Sequence, residues 1–197
     1  PGYGDYNYIR GDECSCCVLA YDAICAMGVK ITKDMGTCLM TGMSTDTGHF
    51  MYPYTTPRAF EVAGKLRALG VDVSYITRVL YRTQERSAVN LTRIAYRNMR
   101  FELDGRVGVI ELTQADMDEA GATIHQTNGL VNKALEVEGV RMAILATQRE
   151  DAVKLSLRAV EPDTVNDIAK QFGGGGHAQA AGVTMQMPMS EAVQMVL

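Results

Sequence analysis

Apolar positions along residues 17–27 fall at helical spacing, with Val18, Tyr21, Ile24 and Cys25 on one side and Gly28 where a helix ends. Thr32 has the chemistry of an N-cap for a second helix that carries Met35, Cys38 and Leu39 and runs into Thr41-Gly42. A small-polar stretch from Met43 to Phe50 then reads as a loop. Thr56-Pro57 opens the most regular helix of the chain, whose stripe is Ala59, Val62, Ala63, Leu66 and Leu69 and whose stop is Gly70. Ser74 is the expected cap of a short helix reaching Leu80. Residues 83–98 place Ala88, Leu91 and Ala95 at helical spacing among many polar groups, which suits a connecting helix.

The period then shortens. Met99, Phe101 and Leu103 alternate with Arg100 and Glu102, and Asp104-Gly105 supplies a hairpin turn before a strand over 106–112. Thr113 followed by Asp116 has capping-box spacing, so Asp116-Met117-Asp118 reads as helix N-terminal charge rather than a paired-carboxylate site. A helix over 130–135 and a buried strand over 140–146 follow. Val153, Leu155 and Leu157 alternate with Lys154, Ser156 and Arg158, which predicts a strand with Arg158 on its polar face. Asp163 is the expected cap of a helix bearing Val165, Ile168, Ala169 and Phe172; a strand over 183–187 and a helix after Ser190 close the chain. The pattern predicts an α/β protein: a mostly helical part over 1–82, a connecting helix over 83–98, and a mixed-sheet α/β domain over 99–197.

With 197 residues, 47% of them hydrophobic, the chain can bury sizeable cores. No apolar run approaches the roughly 20 residues of a membrane-spanning helix, so a cytoplasmic setting without membrane partners is expected. Five cysteines, three crowded at Cys14, Cys16 and Cys17 without a second cluster, read as reduced side chains. A net charge of -4 argues against a broad nucleic-acid-coating surface while leaving room for a local phosphate pocket.

Three segments carry candidate chemistry. The run Gly173-Gly174-Gly175-Gly176-His177 joins a periodic helix to the small-residue segment from Ala178 to Gly182. Glycines let backbone N–H groups approach an anion, and a histidine can donate to a phosphate oxygen. From physics alone a glycine-rich surface turn stands equally with a phosphate cradle. Arg158 offers a fork suited to bidentate phosphate recognition, although a strand arginine alone is more often a surface residue. Asp46, in Thr45-Asp46-Thr47-Gly48-His49-Phe50, is a hard-cation ligand candidate whose ordinary alternative is a turn or cap aspartate. His49 has no assignable role and His125, in a polar segment, no partner; both read as ordinary surface or partly buried histidines.

Phe-Gly-Gly-Gly-Gly-His-Ala-Gln-Ala-Ala-Gly from Phe172 to Gly182 closely resembles the signature of the DHH-associated domain in DHH-type phosphoesterases. Ser156-Leu157-Arg158 and the Asp46 segment resemble further motifs of that family, in its group of oligoribonucleases and pAp phosphatases. The resemblance implies that Arg158, Gly174, Gly175, Gly176 and His177 hold the substrate phosphate. It also implies that Asp46 is a catalytic ligand of a two-metal manganese centre, with magnesium allowed, and that the two domains face a shared cleft. The family's remaining ligand motifs, Asp-x-Asp, a further aspartate and Asp-His-His, do not stand ahead of Asp46 here. Together with Pro1 and the mid-domain character of Gly4-Asp5-Tyr6-Asn7, this suggests an N-terminally shortened chain, inactive alone. The expected activity of the complete protein is hydrolysis of short oligoribonucleotides or 3'-phosphoadenosine 5'-phosphate. A cyclic- or linear-dinucleotide phosphodiesterase and a non-catalytic nucleotide-binding module are the alternatives, and a homodimer is left open.

Overall fold

The computed structural model describes residues 4–197. The expectation attached to Pro1 lies outside them. Two compact units divide the chain, one ending at Thr83 and the other running from Gln84 to Leu197.

The first unit is helical. Ser15 caps α1 (Cys16–Ala26) and Thr32 caps α2 (Lys33–Asp46), its side chain accepting from the Met35 amide. Thr56 and Pro57 open α3 (Pro57–Ala68) as expected, and Val73–Thr77 forms α4. Val18, Met43, Ala59, Val62 and Leu66 are fully buried at the centre, so the periodicity of α3 is a core stripe. Four local readings change. α2 does not stop at Thr41-Gly42 but continues through Asp46, because Met40, Met43 and Ser44 extend its buried face. Cys38 is exposed, and Leu69 lies past the last turn of α3, 43% exposed. α4 is capped by Asp72, whose carboxylate accepts from the Tyr75 amide, rather than by Ser74; it runs on into a π-turn over Arg78–Arg82.

The second unit is a six-stranded mixed sheet with helices on both faces. Its elements are α5 (Arg86–Arg97), β1 (Arg100–Glu102), β2 (Val107–Leu112), α6 (Gln114–Ala120), α7 (Asn132–Leu135), β3 (Met142–Arg149), β4 (Ala152–Ala159), α8 (Asn166–Gln171), β5 (Gly175–His177), β6 (Ala180–Met185) and α9 (Met189–Val196). The strand order is β1-β2-β3-β4-β6-β5, with β2 and β3 parallel and the other pairs antiparallel. The helix read as a connector packs into this unit's core through Leu91, Ile94 and Ala95. With α6 and α7 it covers Ile110, Leu112, Ala143 and Leu145 on one sheet face. On the other face Val153, Leu155 and Leu157 of β4 join α8 and α9. The alternation of β4 is therefore a division between two faces.

Two features of this unit depart from the pattern. Asp163 does not cap α8; it pairs with Arg141 at 2.8 Å, and Val165 occupies the cap position without a side-chain bond. The glycine run, left open by the pattern between a surface turn and a phosphate cradle, contributes Gly175 and Gly176 to the edge strand β5. A Cβ on Gly174 would lie 2.3 Å from the Gly182 carbonyl oxygen, and one on Gly176 would lie 2.3 Å from that of Ala180. Strand propensity scales disfavour glycine, but here only glycine lets the edge strand press this closely on β6.

Candidate phosphate site

β4 presents Lys154, Ser156 and Arg158 to the same sheet side as Leu145, because Ser156 pairs with Leu145 and Arg158 with Ala143. Helices α5 to α7 cover β2 and β3 on that side, and the polar row of β4 stands beside them. The result is a cavity of about 220 Å³ lined by Thr127, Asn128, Gly129, Val131, Leu145, Thr147, Lys154, Ser156, Arg158, Ala181 and Gly182. None of these is acidic. Arg158 and Lys154 are half-buried, and among the described residues neither forms an ion pair; Arg158 donates only to its neighbouring Leu157 carbonyl at 3.0 Å.

Across the sheet, Arg158 registers with Ala180, and Ala180 registers with His177. Directly paired residues share a face, so Arg158 and His177 flank one small alanine, about 10 Å apart by strand spacing. The next row on that face is Ser156, Gly182 and Gly175. His177 is exposed, and its ring has no hydrogen-bond partner among the described residues. The four glycines are not equivalent. Gly174 and Gly176 are required by the approach of β6, whereas a Cβ on Gly175 meets nothing within 4 Å. Arg158, His177 and Gly175 are thus brought together on one face.

Asp46 lies in the first unit, at the last position of α2, exposed. Its carboxylate accepts a hydrogen bond from the Ser15 hydroxyl at 2.6 Å, while Ser15 also accepts from the Cys17 amide at the start of α1. The chain turns sharply just beyond it. Gly48, His49 and Phe50 take positive φ values of 55°, 59° and 64°, an uncommon conformation for histidine and phenylalanine. Side chains hold the turn. His49 Nδ1 lies 2.9 Å from the Ser44 hydroxyl and Nε2 3.3 Å from that of Thr77, while the Tyr54 hydroxyl donates to the Asp46 carbonyl. His49 is therefore a partly buried structural residue, as its sequence context suggested.

Among the described residues no group of three His, Cys, Asp or Glu side chains could hold a metal ion. Asp46 is one monodentate or bidentate ligand at most, so the residues present here do not by themselves fit a two-metal centre. Asp116, as expected, belongs to a capping box at the start of α6: its carboxylate accepts from the Thr113 amide and hydroxyl, and Thr113 accepts from the Asp116 amide.

Lys154, Thr147 and Asn128 line the cavity without having been singled out as site residues. Lys154 was legible in the alternation of β4, two residues before Ser156. Thr147 and Asn128 reach the cavity only through the pairing of β3 with β4 and the turn after the short 3-10 segment Ile124–Thr127. A larger hollow of about 610 Å³ at the turn between β3 and β4 contains none of the motif residues and includes Glu150 and Asp151, which oppose an anion.

Residues 106–196, which hold the mixed sheet and its glycine-histidine edge strand, match the family model for the DHHA1 domain. The chain as a whole is similar to proteins named bifunctional oligoribonuclease and PAP phosphatase NrnA. It is 29% identical to the bifunctional oligoribonuclease and PAP phosphatase NrnA of Thermus thermophilus, with all of this chain and 59% of the relative aligned. It is 24% identical to the protein of the same name from Bacillus subtilis, over 93% of this chain and 58% of the relative. An exopolyphosphatase-related protein from Bacteroides fragilis superposes with a TM-score of 0.89 at 28% identity, over 99% of this chain and 58% of that one. The chain thus spans just under three-fifths of the length of these relatives.

Proposed function

We propose that this chain is the substrate-holding part of a metal-dependent phosphoesterase acting on short oligoribonucleotides or 3'-phosphoadenosine 5'-phosphate. The observation that carries the reading is the row Arg158-Ala180-His177 beside a cavity that holds basic and hydroxyl side chains but no carboxylate. Arg158 presents its guanidinium fork to phosphate oxygens, and His177 donates to the same group from the edge strand. Gly174 and Gly176 hold β5 tightly on β6, and the space around Gly175 is open on the face of Arg158 and His177. The names of the curated relatives support this substrate class.

Asp46 is the candidate metal ligand in this reading, with manganese the expected ion and magnesium its substitute. Ser15 fixes the orientation of its carboxylate. One such carboxylate does not assemble a two-metal centre, so the chain by itself is expected to bind substrate and to hydrolyse it poorly. The phosphodiesterase acting on cyclic or linear dinucleotides remains the alternative substrate assignment, and soluble cytoplasmic location accompanies both; no helix among the described residues is long and apolar enough to cross a membrane.

The test is hydrolysis of a 5'-phosphorylated diribonucleotide and of 3'-phosphoadenosine 5'-phosphate by the protein that carries this chain. Arg158→Ala and His177→Ala should each lower kcat/KM by about tenfold or more, the size of a lost charge-assisted hydrogen bond, with the fold retained. Unchanged hydrolysis by both variants would remove the phosphate-holding assignment. Binding without metal-dependent hydrolysis in the wild-type protein would favour a nucleotide-binding module instead.

A further inference from the structure

Six basic side chains of the second unit, Arg93, Arg97, Arg100, Lys133, Arg141 and Lys170, are committed to ion pairs with neighbouring carboxylates. Arg86, Arg106, Arg149, Lys154 and Arg158 have no such pair among the described residues, and of these Lys154 and Arg158 are both half-buried and line one cavity. In a chain of net charge -4, two unneutralised cations in a single hollow without an acidic lining residue mark a place built for more negative charge than one carboxylate would bring.

Their spacing says how that charge is distributed. Four residues apart on one strand face, their Cα atoms are separated by about 13 Å, with Ser156 midway. Arg158 stands in the row with Ala180 and His177; Lys154 stands in the row with Thr147 and Thr184. The Thr147 hydroxyl donates to the Lys154 carbonyl at 3.3 Å, which ties this end of the cavity together. The Arg158 end offers a planar fork and the Lys154 end a compact point charge on a flexible stem. Two separate anionic groups match this arrangement better than one.

We propose that Lys154 is a second phosphate-binding residue, and that the cavity selects ligands carrying two phosphate groups, one held at Arg158 and the other at Lys154. This rests on the reading of the cavity as a phosphate site given above. The Ser156 hydroxyl lies between the two positions, where the sugar linking the phosphates would pass. Lys154 is thereby a determinant of specificity, discriminating a bisphosphate or a 5'-phosphorylated dinucleotide from a nucleoside monophosphate.

The experiment is calorimetric titration of the full chain with adenosine 3',5'-bisphosphate and, separately, with adenosine 5'-monophosphate. The wild-type chain should prefer the bisphosphate. Lys154→Gln should weaken bisphosphate binding about tenfold while changing monophosphate binding less than twofold, and Lys154→Arg should restore most of the preference. Equal weakening of both ligands by Lys154→Gln, or no effect on either, would overturn the proposal. If Arg158→Ala leaves both affinities unchanged, the phosphate-site reading itself is what fails, and the proposal falls with it.

Discussion

At the residue scale the glycines of β5 separate packing from recognition. An Ala side chain at Gly174 would meet the Gly182 carbonyl and the Val183 backbone, which cannot yield without displacing β6, so Gly174→Ala should lower stability by about 1–3 kcal/mol in urea unfolding. Gly175 has open space around it and an ordinary φ. Gly175→Ala should therefore leave the unfolding midpoint nearly unchanged yet weaken binding of a 5'-phosphorylated dinucleotide, because the added methyl stands on the face shared with Arg158 and His177. Equal stability losses at the two positions would contradict this division. Asp46 poses a different residue-scale question: Asp46→Asn should reduce manganese binding in the protein that carries this chain, and identical metal titrations would remove it from the ligand set.

At the element scale the most legible parts were those in which one physical cause dominates. The stripe of α3 and the alternation of β4 follow from burial on one side, and the Thr113-Asp116 cap follows from local hydrogen bonding. Burial alone would raise the Asp116 carboxyl, but its bonds from the Thr113 backbone and hydroxyl, with Asn98 and Arg97 nearby, hold it below the usual range. A depressed folded-state value stabilises above the unfolded pKa and is lost as pH falls through the folded one. Thr113→Ala should cost about 1 kcal/mol at neutral pH. Asp116→Asn should also destabilise at neutral pH, with the difference from wild type closing as the pH drops through the Asp116 value; a gap constant down to acid pH would contradict the assignment. The less legible elements were set by tertiary contacts. α2 passes its expected end because Met43 finds a core, Asp163 leaves α8 for Arg141, and β5 exists because Gly174 and Gly176 meet β6. The partners of Met43 and Asp163 are far away in sequence, and those of the glycines lie just across a hairpin whose close approach no residue pattern announces.

At the scale of the whole molecule, the acidic net charge conceals a local basic feature. Most ion pairs of the second unit neutralise cations on its surface, and the cavity beside β4 keeps two unneutralised. The motif residues were legible as a family resemblance, but their common face was not: it depends on β6 lying between β4 and β5, an order that no spacing along the chain encodes. Lys154 shows the same limit, since its alternation was visible while its lack of a carboxylate partner was a property of the folded unit.

The central claim, that this face binds the phosphates of a short nucleotide, is tested most directly by titrating isotopically labelled chain with a 5'-phosphorylated diribonucleotide and following backbone amide shifts by NMR. Saturable changes centred on Lys154, Ser156, Arg158, Gly175 and His177, abolished by Arg158→Ala, are the expected result. Saturable changes confined to other surfaces, or none at all at millimolar ligand, would contradict it.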